Sequence, residues 1–232
     1  DKLRSLRFIH FVFQFMWGKR WYYDYLMFFK NIGFHPIDMM VAIADACAND
    51  KGAMGRIYKN FSADHALESF EAAEDLYAYW RKENNLERLR SGDYGKLNFQ
   101  YSFIVDLDHR NEFNVLLKEL GSQLISDKYP DDDDLYQEQL QEILKLCGAR
   151  RIDFDDTMEV VETKRLSSKF DMATWVATGR EEAPSEAISE SDSEYELYLT
   201  PERMDMIQKL LSQFRSHNRN LTLRKMTEYS NP

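Results

Sequence analysis

The fold is decided by two stretches near the start of the chain, residues 3–17 (LRSLRFIHFVFQFMW) and residues 21–32 (WYYDYLMFFKNI). Both are apolar on nearly every side, and a helix of that kind is buried in protein or in lipid. Neither reaches the run of about 20 apolar residues that a membrane span requires, and Gly18-Lys19-Arg20 separates them. They therefore predict two buried helices at the centre of a helical protein, and insertion across a membrane is not expected.

Four further helices follow from apolar spacing and from capping residues. The first should begin at Pro36, since proline fits the first helical turn, and should stop near the turn-rich residues 49–52. Ser62 is a candidate N-cap for a helix that continues to about residue 90. A third helix is expected from about Tyr94 to residue 125, interrupted near Gly121. The last should follow four acids, residues 131–134, whose charge suits a helix N-terminus. Residues 1–147 thus predict a helical bundle-like domain.

The pattern changes after residue 147 and predicts a small α+β appendage over residues 148–232. Alternating apolar residues at 151–154 and 158–163 favour a short hairpin within 148–178. Residues 170–179 are compatible with strand, turn or short helix. Residues 179–194 are acidic and contain almost no packing residues, so we expect a mobile linker that is open to proteolysis at Arg180. Residues 195–232 predict a strand and then a helix opened by Thr200-Pro201.

Charge and cysteine content exclude several classes of protein. The net charge is −10, and residues 61–200 hold 32 acids against 15 Lys and Arg. Such a surface repels phosphate backbones, so nucleic acid is not an expected partner. Cys47 and Cys147 are too far apart for a CxxC motif, and with no signal peptide they indicate buried, reduced thiols of a cytoplasmic protein. The chain begins with Asp1 inside an apparent helix, so we expect a piece of a longer protein.

No complete catalytic or metal-binding motif is present in the sequence. Residues 153–157, DFDDT, match the DxDxT pattern of haloacid-dehalogenase-type phosphotransferases, but no βαβ series surrounds them, and a turn is favoured. His65 and His109 have no second histidine at helical spacing, so surface or packing roles are favoured for both. The acids at 131–134 lack the spread-out ligands of a calcium loop. We therefore predict no catalytic, cofactor-binding or metal-binding residue within this segment.

An unusual aromatic and basic cluster remains at residues 17–29. The residues of this cluster that we expect to contact a substrate or a partner are Trp17, Arg20, Trp21, Tyr22, Tyr23 and Phe28. Core packing or an interdomain seam is the favoured interpretation, because aromatic side chains bury large areas. Two alternatives stay open. The cluster lines an apolar substrate pocket shared with another domain, or residues 8–29 anchor the chain peripherally at a membrane, where Trp, Tyr, Lys and Arg are favoured.

Three stretches together resemble the C-terminal region of cobalamin-binding-domain radical SAM proteins. They are residues 23–36 (YDYLMFFKNIGFHP), 94–101 (YGKLNFQY) and 170–175 (FDMATW). The resemblance implies a parent enzyme with a cobalamin domain, a partial TIM-like barrel that binds SAM and a [4Fe–4S] cluster, and radical chemistry. The cluster-binding CxxxCxxC motif is absent here, so no catalytic residue carries over to this segment.

Three functional hypotheses follow. By resemblance, the segment is a non-catalytic accessory helical domain of a larger cobalamin-dependent radical SAM enzyme, where it caps the barrel or shapes the substrate pocket. Its partner would then be the remainder of the parent chain, with an apolar substrate nearby. The first alternative is an independent acidic helical protein-interaction module. The second is a peripheral membrane-associated domain.

Overall fold

The computed structural model describes residues 2–67, 69–70, 72–91, 97–151, 153, 160–161, 163–184 and 193–214. In this part of the chain, eleven α-helices, two π-helical turns and one two-stranded antiparallel sheet are present. The predicted fold class is confirmed: the protein is mainly helical and carries a small α+β appendage.

The helices are given in chain order. Their bounds are α1 Lys2–Phe13, α2 Tyr23–Asn31, α3 Pro36–Asn49, α4 Ala53–Leu67, α5 Ala73–Trp80, α6 Glu83–Ser91, α7 Leu97–Phe103, α8 Arg110–Lys128, α9 Asp133–Ala149, α10 Met172–Ala177 and α11 Pro201–Phe214. The π-helical turns are Gln14–Gly18 and Ile104–Asp108, and the strands are β1 Thr163–Ser168 and β2 Ser193–Tyr198.

The second apolar stretch lies at the centre of the core, as its sequence predicts. The first is buried on one side only: Phe8, Phe11 and Val12 are in the core, whereas Leu3, Leu6 and Phe13 are exposed. Helix α2 is buried along most of its length, and Tyr25, Phe28 and Phe29 are completely inaccessible to solvent. Helix α1 packs through Phe8, whose ring meets that of Phe61 on α4 edge to face at a centroid distance of 5.3 Å. Aromatic pairs of this kind stabilise a core beyond the area that they bury. Within the described residues, no helix combines the length and apolar character needed to cross a membrane.

Helix α3 begins at Pro36 as predicted, and the ring nitrogen Nδ1 of His35 accepts a hydrogen bond from the amide of Ile37. The helix ends at Asn49, in the predicted turn. A Cβ atom at Gly55, in the first turn of α4, would collide with the backbone carbonyl oxygen of Asp50. Glycine at that position therefore allows α4 to start close against the end of α3.

Two predicted helix boundaries are wrong. Helix α4 runs through Ser62, which is therefore not an N-cap, and the single helix predicted from there to about residue 90 is divided into α5 and α6. The interruption expected near Gly121 lies instead at His109, between the second π-helical turn and α8. Gly121 is inside α8, where an added Cβ atom would approach Leu140 and Phe29 to about 3 Å. The missing side chain of Gly121 thus allows close packing against α8, and the helix continues through this residue.

The appendage contains the one sheet of the described residues. Strand β1 pairs with β2 antiparallel, with Thr163 opposite Tyr198 and Leu166 opposite Tyr195. The hairpin predicted at 151–154 and 158–163 falls mostly on residues outside the described ones, and the strand that pairs with β2 lies after it. Within residues 170–179, the short helix α10 forms. Helix α11 begins at Pro201 as predicted.

The appendage and the helical bundle share one hydrophobic core. Leu166, Phe170, Met172 and Trp175 are buried in the same cluster as the side chains of α1, α2 and α9. A hydrogen bond also joins the two units, since the side-chain amide of Gln139 on α9 donates to the carbonyl oxygen of Pro184 at 2.8 Å. A change of sequence character at residue 147 therefore does not coincide with a gap in packing.

Candidate functional site

The six predicted contact residues divide into a buried and an accessible group. Trp21, Tyr22 and Phe28 are buried, whereas Trp17 and Tyr23 are partly accessible and Arg20 is exposed. The sequence cluster is thus both core and surface, and only its second group can meet another molecule.

The buried group has structural partners inside the protein. The hydroxyl of Tyr22 donates to Oδ1 of Asn114 at 2.8 Å, and burial raises the pKa of Tyr22 well above its ordinary value. The guanidinium of Arg151 lies 3.6 Å from the ring centroid of Trp21, a close cation–π contact. Phe28 is completely buried. These side chains hold α2 to α8 and α9, and they do not line an open surface.

The accessible group surrounds the ring of Tyr23, at the start of α2. The indole of Trp17 meets this ring edge to face at 5.0 Å, and the guanidinium of Arg20 lies 5.2 Å from its centroid. Arg20 has a φ of +55°, in the left-handed region that residues other than glycine seldom adopt. Strained backbone of this kind concentrates at functional sites.

Below Tyr23, the next residue of α2 is a buried acid with two arginine partners. Asp24 is 3% exposed, and its carboxylate accepts from Nη1 of Arg150 at 3.1 Å and from Nε of Arg180. The side chain of Arg180 is 12% exposed and that of Arg150 is 35% exposed. Both guanidinium groups are therefore partly accessible to solvent while they contact the buried carboxylate of Asp24. A carboxylate this deeply buried needs such partners to remain charged.

Arg180 also approaches Tyr23, with its guanidinium 5.5 Å from the ring centroid. It follows Gly179 and has a φ of +62°. Arg20 and Arg180 are the two non-glycine residues with positive φ in the described part of the chain, and both lie against the same ring. Both arginines follow a helix end, where the amide of Arg20 donates to the carbonyl of Trp17 and that of Arg180 to the carbonyl of Trp175. These two chain reversals bring both guanidinium groups to one tyrosine ring.

Hydrogen bonds hold the segment that carries Arg180. The side-chain amide of Asn31 donates to the carbonyl oxygens of Arg180 at 3.1 Å and of Glu182 at 2.5 Å. The indole Nε1 of Trp175 donates to the same Glu182 carbonyl at 2.6 Å. Further on, Pro184 is buried. The predicted absence of packing in the linker is therefore wrong for residues 179–184, because Trp175 and Asn31 supply the partners from elsewhere; residues 185–192 lie outside the described residues.

We define the arginine–aromatic face as the surface formed by Trp17, Arg20, Tyr23, Arg150 and Arg180. Arg150 and Arg180 share the carboxylate of Asp24, and Arg20 adds a third guanidinium group over the ring of Tyr23, so the face is cationic within a chain of net charge −10. Arginine presents a planar fork of N–H donors that matches carboxylate geometry, and the neighbouring rings offer apolar area. The face is suited to binding an acidic group next to an apolar one.

The sequence alone missed three members of this site, Asp24, Arg150 and Arg180. Asp24 did carry a signal, since a single acid between aromatic residues of a helix that is apolar all round must be buried and must therefore have a cationic partner. Nothing local in the sequence indicated which of the distant arginines that partner would be.

The first acid of the DxDxT match takes part in a different ion-pair network. Asp153 accepts from Nη1 of Arg110 at 2.7 Å and from Nζ of Lys164 at 2.6 Å. Burial alone would raise its pKa, but the hydrogen bonds from Lys164 and Arg110 outweigh burial and lower the pKa. Arg151 pairs with the buried Asp106 beside it. Asp153 thus joins α8 to β1, and the rest of the motif lies outside the described residues.

His65, His109 and the two cysteines lie outside the arginine–aromatic face. Nδ1 of His109 lies 3.3 Å from a carboxylate oxygen of Glu112, and His65 lies at the end of α4. Both cysteines are buried free thiols, and burial raises the pKa of Cys47 to about 12 and that of Cys147 further. In the ranges that the structure describes, no three His, Cys, Asp or Glu side chains are grouped to hold a metal ion.

Comparison of the chain with protein-family models, with curated proteins and with solved structures gives no match.

Proposed function

We propose that this chain is a non-catalytic accessory helical domain that binds an acidic surface of a partner through the arginine–aromatic face. On the sequence resemblance, the partner is the remainder of a cobalamin-dependent radical SAM enzyme, whose barrel the domain caps or whose substrate pocket it helps to shape. SAM, the [4Fe–4S] cluster and cobalamin would be bound by that parent and not by this segment.

The conformation of Arg20 is the single observation that carries the proposal. Its exposed guanidinium contacts the ring of Tyr23 and forms no ion pair with any carboxylate of the described residues, although the chain is strongly acidic. Its backbone is held at positive φ, which costs on the order of 1 kcal/mol or more for a residue with a side chain. A strained, unpaired arginine beside two aromatic rings is the kind of residue that contributes most to binding at interfaces.

The neighbouring groups support the same conclusion. Arg150 and Arg180 share a single carboxylate, that of Asp24, so the two guanidinium groups keep one positive charge in excess of their acidic partner. Trp17 and Tyr23 add apolar area that a partner would cover. Tryptophan, tyrosine and arginine are the residues enriched at the centres of protein interfaces.

The membrane alternative is less well supported. The side chains through which residues 8–29 would enter a bilayer include Phe28 and Phe29, and both are completely buried in the core. Substituting charges at these positions would unfold the protein rather than test membrane binding. The independent interaction module remains an alternative, because it would use the same face.

Hydrogen–deuterium exchange on the full gene product, compared with this segment alone, tests the docking. We expect peptides that cover residues 17–23 to exchange more slowly in the longer protein, and Arg20→Glu to remove this protection. Arg165→Glu is the matched control, since the side chain of Arg165 is 85% exposed on β1. Equal exchange in both proteins, or equal loss of protection with both variants, would contradict docking through this face.

The parentage is tested separately by the encoded sequence before Asp1. A CxxxCxxC motif there is expected if the parent is a radical SAM enzyme. A coding sequence without that motif would reject the parent and leave the independent interaction module.

A further inference from the structure

A groove lined by residues of α3, α4 and α8 has the size of a small-molecule site. It lies where the end of α3 and the start of α4 meet the first half of α8, and its volume is about 630 Å³. Sites for small ligands commonly have volumes of about 300–1,000 Å³. Small side chains create the space, since Ala46 and Ala53 face it where larger residues would fill it.

The floor of the groove is apolar. Met54 and Leu116 line it, and Val115 is 54% exposed although it is β-branched and fully hydrophobic. Methyl and methylene groups at this position could cover an aliphatic chain and remove it from water.

Among the described residues, the charged side chains that line the groove are all acidic: Asp50, Glu112 and Glu119. Arg56, outside the lining, is close enough to act on the carboxylate of Glu112. The carboxylate of Asp50 accepts a hydrogen bond from the amide of Gly55 at 3.1 Å. Backbone hydrogen bonds from Gly52 and Gly55 lower its pKa, so this ionised carboxylate stabilises the turn between α3 and α4. Glu112 has His109 as its neighbour at 3.3 Å. Glu119 has no ion-pair partner among the described residues. The negative end of the α3 dipole also points to this place.

We propose that this groove binds a small aliphatic amine. The ammonium group lies at the acidic rim to which Glu112 and Glu119 contribute from successive parts of α8, and the alkyl chain covers Met54, Val115 and Leu116. The apolar floor selects for a hydrocarbon body, and the acidic rim favours a cation and repels a carboxylate or a phosphate. This site is independent of the arginine–aromatic face, which has the opposite charge.

Three probes of equal chain length test the proposal: n-hexylamine, 1-hexanol and hexanoate. Methyl resonances of Met54, Val115 and Leu116 are followed by NMR during titration. We expect saturable shifts with hexylamine and a dissociation constant on the order of 1 mM, as suits a ligand of so few atoms. Hexanol should bind more weakly, and hexanoate should give no saturable shift.

Charge removal at the rim separates this site from unspecific association. The double variant Glu112→Gln, Glu119→Gln should weaken hexylamine about fivefold and leave hexanol unchanged, since two exposed carboxylates each contribute modestly. Asp127→Asn, further along α8 and exposed, is the matched control and should change neither. Absence of saturable shifts with hexylamine, or an equal response to hexylamine and hexanoate, would overturn the proposal. So would an undiminished affinity of the double variant.

Discussion

Replacing Asp24 with alanine should destabilise the protein through the two arginines that it leaves behind. Removal of one partner of a buried ion pair typically costs about 3–5 kcal/mol, because the remaining charge is buried without compensation. The two arginines differ in this respect. Arg150 is 35% exposed and can turn into water, whereas Arg180 is 12% exposed and its backbone carbonyl is held by Asn31. We expect Asp24→Ala to lower the free energy of unfolding by about 3 kcal/mol, mainly through Arg180.

The partner substitutions follow from the same exposures. Arg150→Ala should cost about 1 kcal/mol or less, the value of a largely solvated pair. The double variant Asp24→Ala, Arg180→Ala should be more stable than Asp24→Ala alone, because it no longer contains the unpaired guanidinium. The sign of this difference follows from burial and does not depend on an exact energy.

Urea unfolding monitored by tryptophan fluorescence and circular dichroism measures these differences. Coincident transitions and unchanged m-values are required for the comparison. Trypsin cleavage after Arg180 supplies a local readout, which should be slow in the unaltered protein and faster in Asp24→Ala. A cost below about 1 kcal/mol for Asp24→Ala, or equal costs for Arg150→Ala and Arg180→Ala, would refute this dependence on burial.

Three further substitutions or modifications test other parts of the fold. Gly55→Ala should prevent or severely weaken folding, as seen by thermal unfolding, because its Cβ atom meets a backbone carbonyl; Gly148→Ala, where the space is open, should be neutral or stabilise by up to about 1 kcal/mol. Cys47 and Cys147 should resist alkylation at pH 8 in the folded protein and react in urea, because burial raises both thiol pKa values; rapid reaction in the folded state, measured by mass spectrometry, would contradict this. Phe28→Ala should cost about 3–5 kcal/mol in urea unfolding, and a loss below about 1 kcal/mol would show that the residue is not in the core.

Long periodic segments were the most predictable parts of the fold. The apolar stretch of α2 predicts its burial and Pro36 predicts the start of α3, because both effects act within one or two turns. For α1 the same pattern overestimates burial, since Leu3 and Leu6 are exposed. Boundaries that depend on distant packing were not predictable. Ser62 has the chemistry of an N-cap, yet the packing of α4 on α1 and α3 carries the helix past it.

Gly121 and Arg180 show why local reasoning reached its limit. The backbone freedom of Gly121 predicts a break, but in the structure its missing Cβ leaves the space into which Phe29 and Leu140 pack against α8. Arg180 was assigned to a mobile linker because its neighbours are polar, and three of its constraints come from Asp24, Asn31 and Tyr23, about 150 residues earlier.

By itself, the sequence determined a helical class, a buried aromatic centre and an excess of negative charge, since these depend on composition and on residue spacing along one element. It also placed Trp17, Arg20 and Tyr23 among the contact candidates. Only the tertiary structure decided that Trp21, Tyr22 and Phe28 are withdrawn into the core, and that Arg150 and Arg180 join Arg20 around one tyrosine. The reason is that pairing across 126 to 156 residues is set by how helices pack, and no local pattern specifies it.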